Sequence, residues 1–195
     1  MIHKPGIVAA GATAVVIAFA GPASAALIEG TPDTDDIAGT NVSDDIYGFA
    51  GDDNIVGSAG NDNIWAGPGN DWVLGDRDSD DIYGQLGTDE LHGADGHDDL
   101  HGQNGADFLG GGKDADDLYG AGSAETLRGN DGTDQVWPGT GADHVNAGGG
   151  NDIVYNPADG SSDIVNCGDG NDTVDDHGTK LESIRGLLLA ARCPC

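Results

Sequence analysis

Acidic residues recur at a fixed interval over most of the chain. A carboxylate stands at every ninth position from Asp35 to Asp152, and the series continues, after an insertion of two residues, with Asp163 and Asp172. Fifteen of these sixteen acids are Asp, and the remaining one is Glu125. Carboxylates held in rows repel one another, and Ca²⁺ accepts carboxylates and carbonyls among its about six to eight oxygen ligands. A fold that stacks these acids is therefore expected to need a bound cation.

An aliphatic residue follows each acid by two positions, from Ile37 to Val154 and again at Val165 and Val174. The repeating unit reads G-x-x-G-x-D-x-U-x, where U is aliphatic; Gly opens eleven repeats and holds the fourth place in ten. The Gly-rich part favours tight turns, and x-U-x fits a short strand with U pointing inward. Two turns and two strands make one coil of eighteen residues. The pattern predicts an all-β solenoid of two facing parallel sheets.

Three repeats show the unit clearly: GSAGNDNIW (57–65), GADGHDDLH (93–101) and CGDGNDTVD (167–175). They resemble the RTX, or hemolysin-type, calcium-binding nonapeptide, whose consensus is G-G-x-G-x-D-x-U-x. The resemblance covers Gly30 to Asp175. It implies a right-handed parallel β-roll in which Ca²⁺ ions lie between successive turns, held by loop carbonyls and by the sixth-position Asp.

The resemblance assigns metal binding to thirteen of the sixth-position residues. They are Asp44, Asp53, Asp62, Asp71, Asp80, Asp89, Asp98, Asp107, Asp116, Asp134, Asp143, Asp152 and Asp172. The second consensus Gly is present in only five repeats, and Glu125 replaces Asp. Multiple Ca²⁺ ions are the expected cofactor, because Mg²⁺ keeps its waters and demands stricter octahedral geometry. Since one aliphatic residue per repeat makes a thin core, cation binding is expected to contribute to the folding free energy.

The first 25 residues have the features of a secretory signal peptide. His3 and Lys4 precede an apolar run from Ile7 to Ala20, and Ala23-Ser24-Ala25 offers a small-x-small cleavage site. This pattern predicts a Sec-type leader over residues 1–25 and an extracellular mature protein without a membrane span. A retained N-terminal anchor is the alternative. The expected domains are then the β-roll, 26–176, and a C-terminal cap, 177–195.

The charge of the chain excludes several classes of function. Thirty-five Asp and Glu face seven Lys and Arg, for a net charge of −28. This balance argues against binding to nucleic acid, which requires a basic face, and leaves disorder in the absence of a counterion as an alternative. Neither a nucleophile elbow nor a grouping of the six histidines suggests catalysis. We therefore predict that the protein is not an enzyme.

The C-terminal segment carries a helix signal. Thr179-Lys180-Leu181-Glu182 is a capping-box pattern, and apolar residues follow at helical spacing. Since the open end of a solenoid needs covering, residues 179–191 are predicted to form a capping helix. An amphipathic helix that binds a partner or a membrane is the alternative.

The three cysteines lie near this end, at Cys167, Cys193 and Cys195. A disulfide is expected in an exported protein, and one cysteine remains unpaired. A bridge from Cys167 to Cys193 or Cys195 is favoured because a Cys193–Cys195 bridge would enclose one residue and be strained.

The last position of each repeat points outward, and in alternate repeats it is aromatic or His. These residues are expected to form one ladder on a single sheet: Tyr47, Trp65, Tyr83, His101, Tyr119, Trp137 and Tyr155. Self-stacking that stiffens the sheet explains the ladder; a docking face for a glycan or a cell-surface protein is the alternative. The sequence thus predicts a secreted calcium-binding β-roll with a structural or surface-associated role, or else an adhesion module that uses this ladder.

Overall fold

The computed structural model describes residues 14–17, 25–157, 159–176 and 183–184. Within these residues the chain is an all-β parallel solenoid and contains no helix, so none is found that could cross a membrane. The strands form two sheets, one of ten strands and one of nine. Because successive strands alternate between the sheets, each coil contributes one strand to each sheet.

The ten-stranded sheet contains the odd-numbered strands in the order of the chain. They are β1 (Ala14–Ile17), β3 (Asp35–Ala38), β5 (Asn54–Ala59), β7 (Trp72–Arg77), β9 (Glu90–Asp95), β11 (Phe108–Lys113), β13 (Thr126–Asp131), β15 (His144–Gly149), β17 (Ile164–Asp169) and β19 (Ser183–Ile184).

The nine-stranded sheet contains the even-numbered strands, likewise in chain order. They are β2 (Leu27–Glu29), β4 (Asp45–Tyr47), β6 (Asn63–Pro68), β8 (Asp81–Leu86), β10 (Asp99–Asn104), β12 (Asp117–Gly122), β14 (Gln135–Thr140), β16 (Ile153–Asn156) and β18 (Thr173–Asp176).

The register of the strands confirms the coil of eighteen residues. Leu100 pairs with Leu118, one coil later, and all neighbouring strands run parallel. The insertion after β16 lengthens one coil, so that Val154 pairs with Val174. Equivalent positions therefore stack in columns along the solenoid.

One column on each sheet forms the core. The sixteen aliphatic residues from Ile37 to Val174 are all buried, with at most 6 % of each surface exposed, and Ile28 in β2 joins them. The prediction that the eighth position points inward is confirmed. Two facing rows of aliphatic side chains thus separate the two lines of turns that carry the carboxylates.

Both ends of the ten-stranded sheet contain a strand that the sequence analysis did not predict. Strand β1 lies within the predicted leader and pairs with β3. At the other end, the helix predicted over 179–191 is wrong at Ser183 and Ile184, which form β19 parallel to β17. The open edge of β17 offers unpaired backbone groups that a strand satisfies and a helix does not. The remainder of that predicted helix lies outside the described residues.

Cys167 is buried beside the core and is disulfide-bonded. Its partner cysteine lies outside the described residues, so the choice between Cys193 and Cys195 remains a prediction.

Candidate metal-binding turns

The sixth-position carboxylates lie inside the turns, in two rows along the two edges of the solenoid. Acids one coil apart belong to the same row, because each coil has two turns. All sixteen side chains are buried, with 0 to 8 % of their surface exposed. The sequence argument predicted rows, and burial of the rows makes the cost of their charge far larger than it is on a surface.

A ladder of hydrogen bonds connects the acids within each row. The backbone N–H of Asp62 donates to Oδ1 of Asp80 at 2.8 Å, and the N–H of Asp80 donates to Oδ1 of Asp98 at 2.9 Å. In this row the pattern continues without interruption from Asp44 to Asp172. One oxygen of each carboxylate is therefore satisfied by the preceding coil.

The second carboxylate oxygen has no such partner in the central turns. Within the described residues, Oδ2 is buried without a hydrogen bond in Asp53, Asp62, Asp71, Asp80, Asp89, Asp98, Asp107, Asp116, Asp134, Asp143 and Asp152. Leaving one buried acceptor unsatisfied costs about 1–3 kcal/mol, and more for a charged group. The two rows contain eleven such oxygens, and each of them lacks a hydrogen-bond donor or a positive charge to compensate its burial.

Backbone carbonyls converge on these oxygens at the first-position glycines. A Cβ placed on Gly57 would lie 2.5 Å from Oδ2 of Asp62 and 2.8 Å from the carbonyl oxygen of Gly75. The corresponding distances at Gly84 are 2.5 Å to Oδ2 of Asp89 and 3.0 Å to a carbonyl oxygen of the next coil. Glycine thus leaves open a small space that faces a carboxylate and a carbonyl.

Side chains alone do not complete a metal site in this fold. Among the residues that the structure describes, no three His, Cys, Asp or Glu side chains come together as a metal cluster. Any ion in these turns must therefore take part of its shell from carbonyls, and Ca²⁺ accepts carbonyl ligands in flexible geometry. The donor set fits Ca²⁺ and excludes a site built like a zinc cluster.

Burial raises the pKa of the row carboxyls strongly. The pKa of Asp62 and Asp71 rises to about 7, and the pKa of Asp80 and Asp116 rises to about 8. Loss of hydration is the main cause; the ladder N–H bond opposes it, and like charges in neighbouring coils add to it. Without a cation, these carboxyls hold protons near neutral pH.

Glu125 was not predicted as a ligand, yet it has the least satisfied carboxylate of the rows. Both of its oxygens are buried without a hydrogen bond. Its pKa rises to about 8, first through burial and then through its interaction with Asp143. Its N–H still donates to Asp143, but the longer side chain does not accept from Asp107, so the ladder breaks there. The only sequence signal is the departure from Asp itself.

Asp44, by contrast, was predicted as a ligand and is already satisfied. Its Oδ2 accepts from the N–H of Thr40 at 2.7 Å and from the Thr40 hydroxyl at 2.9 Å. Asp35 is held in the same way, with the N–H of Thr31 donating to its Oδ2 at 2.5 Å. The sequence signal was a Thr at the second position of these repeats. We call these two turns the threonine turns and those from Asp53 to Asp152 the central turns.

The last turns differ from the central ones as well. Oδ2 of Asp163, which was not predicted as a ligand, accepts from the Asn156 amide at 3.0 Å. Asp172, which was predicted, accepts the Asp152 N–H through Oδ1 at 3.0 Å.

The predicted aromatic ladder is confirmed as a geometric feature of the nine-stranded sheet. From Tyr47 to Tyr155 the seven rings stack with centroids 4.4 to 5.9 Å apart and planes within 9° of parallel. Each inner ring covers the faces of its neighbours. At the first end of the ladder, Phe49 also lies against Tyr47, with centroids 6.4 Å apart and planes 29° from parallel.

Comparison with known proteins agrees with the geometry of the turns. The sequence profile of the RTX calcium-binding nonapeptide repeat (4 copies) matches residues 29–64, 47–82, 56–91, 83–118 and 119–154. The chain belongs to the RTX calcium-binding nonapeptide repeat family. No curated protein matches the chain. Membership of this calcium-binding repeat family explains why carboxylates without donors line the turns of the β-roll.

Proposed function

We propose that this RTX protein is an exported β-roll whose folding is coupled to the binding of several Ca²⁺ ions. The observation that carries the proposal is the set of eleven buried Asp oxygens without a donor. In the unfolded chain these carboxylates are hydrated. The carboxylates lose this hydration on folding, and a bound cation would provide the favourable interaction that replaces it.

The central turns would hold the ions between successive coils. Oδ2 of the sixth-position Asp supplies charge, and the carbonyl of the first residue in the next coil supplies a neutral oxygen. Glu125 joins this set with two further oxygens. Bound Ca²⁺ would supply positive charge and would connect oxygen ligands from successive coils. The ladder N–H bonds of the chain orient each carboxylate.

The threonine turns are proposed to fold without metal. Thr31 and Thr40 provide the donors that the central turns lack. They lie in the first two repeats. The solenoid therefore begins with turns whose carboxylates already have donors, and the next coil can stack on them. Solenoids grow by nearest-neighbour contacts, and this end is therefore the expected start of calcium-driven folding.

Export supports a calcium-dependent fold. The leader predicted over residues 1–25 would carry the chain out of a compartment with little free Ca²⁺. Weak sites with dissociation constants of about 10⁻⁴–10⁻³ M are typical of extracellular modules. The chain would remain unfolded during export and fold outside, where it has a structural or surface-associated role rather than an enzymatic one.

The aromatic ladder supports the structural role. Stacked aromatic pairs contribute about 0.5–1.5 kcal/mol each beyond their buried area, so the ladder stiffens the nine-stranded sheet along its length. Docking of a glycan onto ring faces, the alternative, would be confined to the two ends of the ladder, where Phe49 lies against Tyr47.

Far-UV circular dichroism of residues 26–195, titrated with Ca²⁺ and separately with Mg²⁺, tests the proposal. A cooperative gain of β signal with Ca²⁺ alone is expected. A β spectrum that is already complete in EDTA would show that the rows do not require calcium for folding.

A further inference from the structure

The ten-stranded sheet carries a second aromatic cluster, which is irregular where the ladder is regular. Trp72, His92 and Phe108 lie on three successive strands, with centroid distances of 5.9 and 5.3 Å and planes tilted by 47° and 45°. Arg128 on the next strand lies 5.4 Å from the Phe108 ring centroid. Two of these rings come from the seventh position of the repeat, where no period of aromatic residues marks them in the sequence. We call these four residues the tilted cluster.

The tilt leaves ring surface open that the ladder hides. Trp72 has Asn54 and Glu90 as its neighbours in the strand register, so no ring stacks on it from an adjacent strand. A recess of about 400 Å³ lies over the cluster and includes Leu74, Gly110 and Asn130 in its lining. This volume is in the range of small-ligand sites, about 300–1,000 Å³. An aromatic face beside polar groups in such a recess is suited to the C–H face and hydroxyls of a sugar.

The floor of the recess is a glycine. Gly110 lies in register between His92 and Arg128, at a position where the ladder on the other sheet has a ring. A Cβ here would lie 3.3 Å from Phe108 Cε1 and 3.4 Å from His92 Nδ1. Any larger side chain would therefore fill the space between the imidazole and the guanidinium.

The polar groups around this floor have a defined polarity. His92 Nε2 lies 3.0 Å from Oε1 of Glu90. In the tautomer with its proton on Nε2, this N–H donates to the carboxylate and Nδ1 is left as an acceptor. Arg128 supplies donors on the opposite side. The Asn130 amide nitrogen donates to the Arg128 carbonyl at 3.3 Å, which fixes the orientation of its amide.

Arg128 is a cation without a carboxylate partner in a very acidic protein. Among the described residues, the close contacts between basic and acidic side chains are His92–Glu90 and Lys113–Asp95, and neither includes Arg128. The chain has 35 acids and seven Lys and Arg. An unpaired guanidinium held over an aromatic ring is therefore complementary to a negatively charged ligand, since Arg binds carboxylates in bidentate fashion.

We propose that the recess over the tilted cluster binds a carboxylate-bearing saccharide, of the uronic acid class. The sugar ring stacks on Trp72, a hydroxyl donates to His92 Nδ1, and the carboxylate pairs with Arg128. The site is independent of the calcium-binding turns, which lie at the edges of the same coils.

Ligand-observed NMR on the calcium-loaded protein tests this site. The probes are a galacturonic acid disaccharide and the neutral galactose disaccharide of the same linkage, with Ca²⁺ in excess. The acidic sugar is expected to bind, and Arg128→Gln is expected to weaken it about tenfold or more, as for loss of a charged hydrogen bond. Trp72→Ala and Gly110→Val are also expected to weaken it.

The matched control is Arg77→Gln, which removes the same charge from an exposed position of the same sheet and is expected to leave binding unchanged. Equal affinity for the two sugars, equal effects of the two Arg variants, or no binding at about 10 mM sugar would each overturn the proposal. If Arg128→Gln does not fold, the Nε–H resonance of Arg128 in the unmodified protein decides: it shifts with the acidic sugar or the proposal fails. Circular dichroism of the same samples reports calcium-induced folding separately, so the two proposals fail independently.

Discussion

The threonine turns and the central turns are built on the same nonapeptide but satisfy the same carboxylate in different ways. At Asp44 both oxygens accept protein hydrogen bonds from Thr40, through its N–H and its hydroxyl. At Asp80 one oxygen accepts from the ladder and the other has no donor. Thr40, whose N–H and hydroxyl both donate, therefore distinguishes a turn that satisfies its carboxylate from one whose second oxygen has no donor. A hydroxyl alone does not, because left-handed Ser58 holds the second position of the Asp62 turn.

The backbone differs between the two kinds of turn as well. The second position is left-handed in the central turns, for example at Ala94 with φ of 92° and at Gln85 with φ of 80°. Thr31 and Thr40 are not left-handed. Their N–H groups can therefore point at the carboxylate. In these turns a hydrogen bond reaches the carboxylate oxygen that has no donor in the central turns.

The largest expected effect is that of pH on the metal-free protein, because it sums over many central turns. The pKa of Asp80, Asp116 and Glu125 is raised to about 8 in the folded state. A raised carboxyl pKa means that the folded state binds protons more tightly than the unfolded state. Stability in EDTA should therefore be greatest at low pH and fall as pH rises from about 4 to about 8.

The β signal in far-UV circular dichroism, followed in EDTA from pH 5 to pH 8, measures this effect. In the presence of Ca²⁺ the order should reverse, since the ion competes with protons, and the Ca²⁺ midpoint of folding should fall as pH rises. A metal-free protein that gains stability between pH 5 and 8 would contradict the assignment of the unsatisfied oxygens.

Next in size is the loss of one central carboxylate. Asp80→Asn keeps the ladder acceptor but removes the charge, and loss of one site costs about 2.7 kcal/mol when Ca²⁺ is at 100 times its dissociation constant. In EDTA at neutral pH the variant should be at least as stable as the parent protein, because it lacks a carboxyl whose pKa is raised by burial. In Ca²⁺ it should be less stable. Asp44→Asn is the matched change in a threonine turn, and its cost should be the same with and without Ca²⁺.

A smaller effect is expected from Thr40→Val, which removes the hydroxyl donor and keeps the shape of the side chain. Asp44 would then carry a less satisfied buried oxygen, at a cost of about 1–3 kcal/mol. Thr88→Val, at an exposed position of a central turn, is the control and should be nearly neutral. Urea midpoints of the calcium-loaded proteins give both values, and equal midpoints for the two variants would remove the distinction between the turns.

The smallest expected effect concerns the backbone at the second position. Ala121 has φ of 92°, a conformation that costs a residue with a Cβ about 1–2 kcal/mol. Ala121→Gly should therefore raise the thermal midpoint slightly, whereas Thr40→Gly should lower it. Stabilisation by Thr40→Gly would show that the Thr40 hydroxyl contributes nothing.

The periodic part of this molecule was predictable from the sequence, and the exceptions were not. Ile55 faces the core and Trp65 joins the outer ladder because residues of the same kind recur at their positions in the repeat. Stacking of the coils brings these equivalent residues together. Thr40 and Glu125 depart from the repeat consensus. Their roles depend on individual contacts, which the periodicity of the sequence does not predict. Strand β19 depends on the edge it covers, and the tilted cluster depends on Trp72 and Phe108, which stand thirty-six residues apart at the seventh position.

The coil of eighteen residues limits how such a chain can change in length. Removal of eighteen residues from the central turns would shorten the rod by one step and leave every acid above another acid and every ring above another ring. Removal of nine would exchange the two faces beyond the cut, so that aromatic residues would continue under the column of Leu74 and His92 on the other sheet. Gain or loss of repeats in pairs therefore keeps the two faces in register, whereas gain or loss of a single repeat exchanges them.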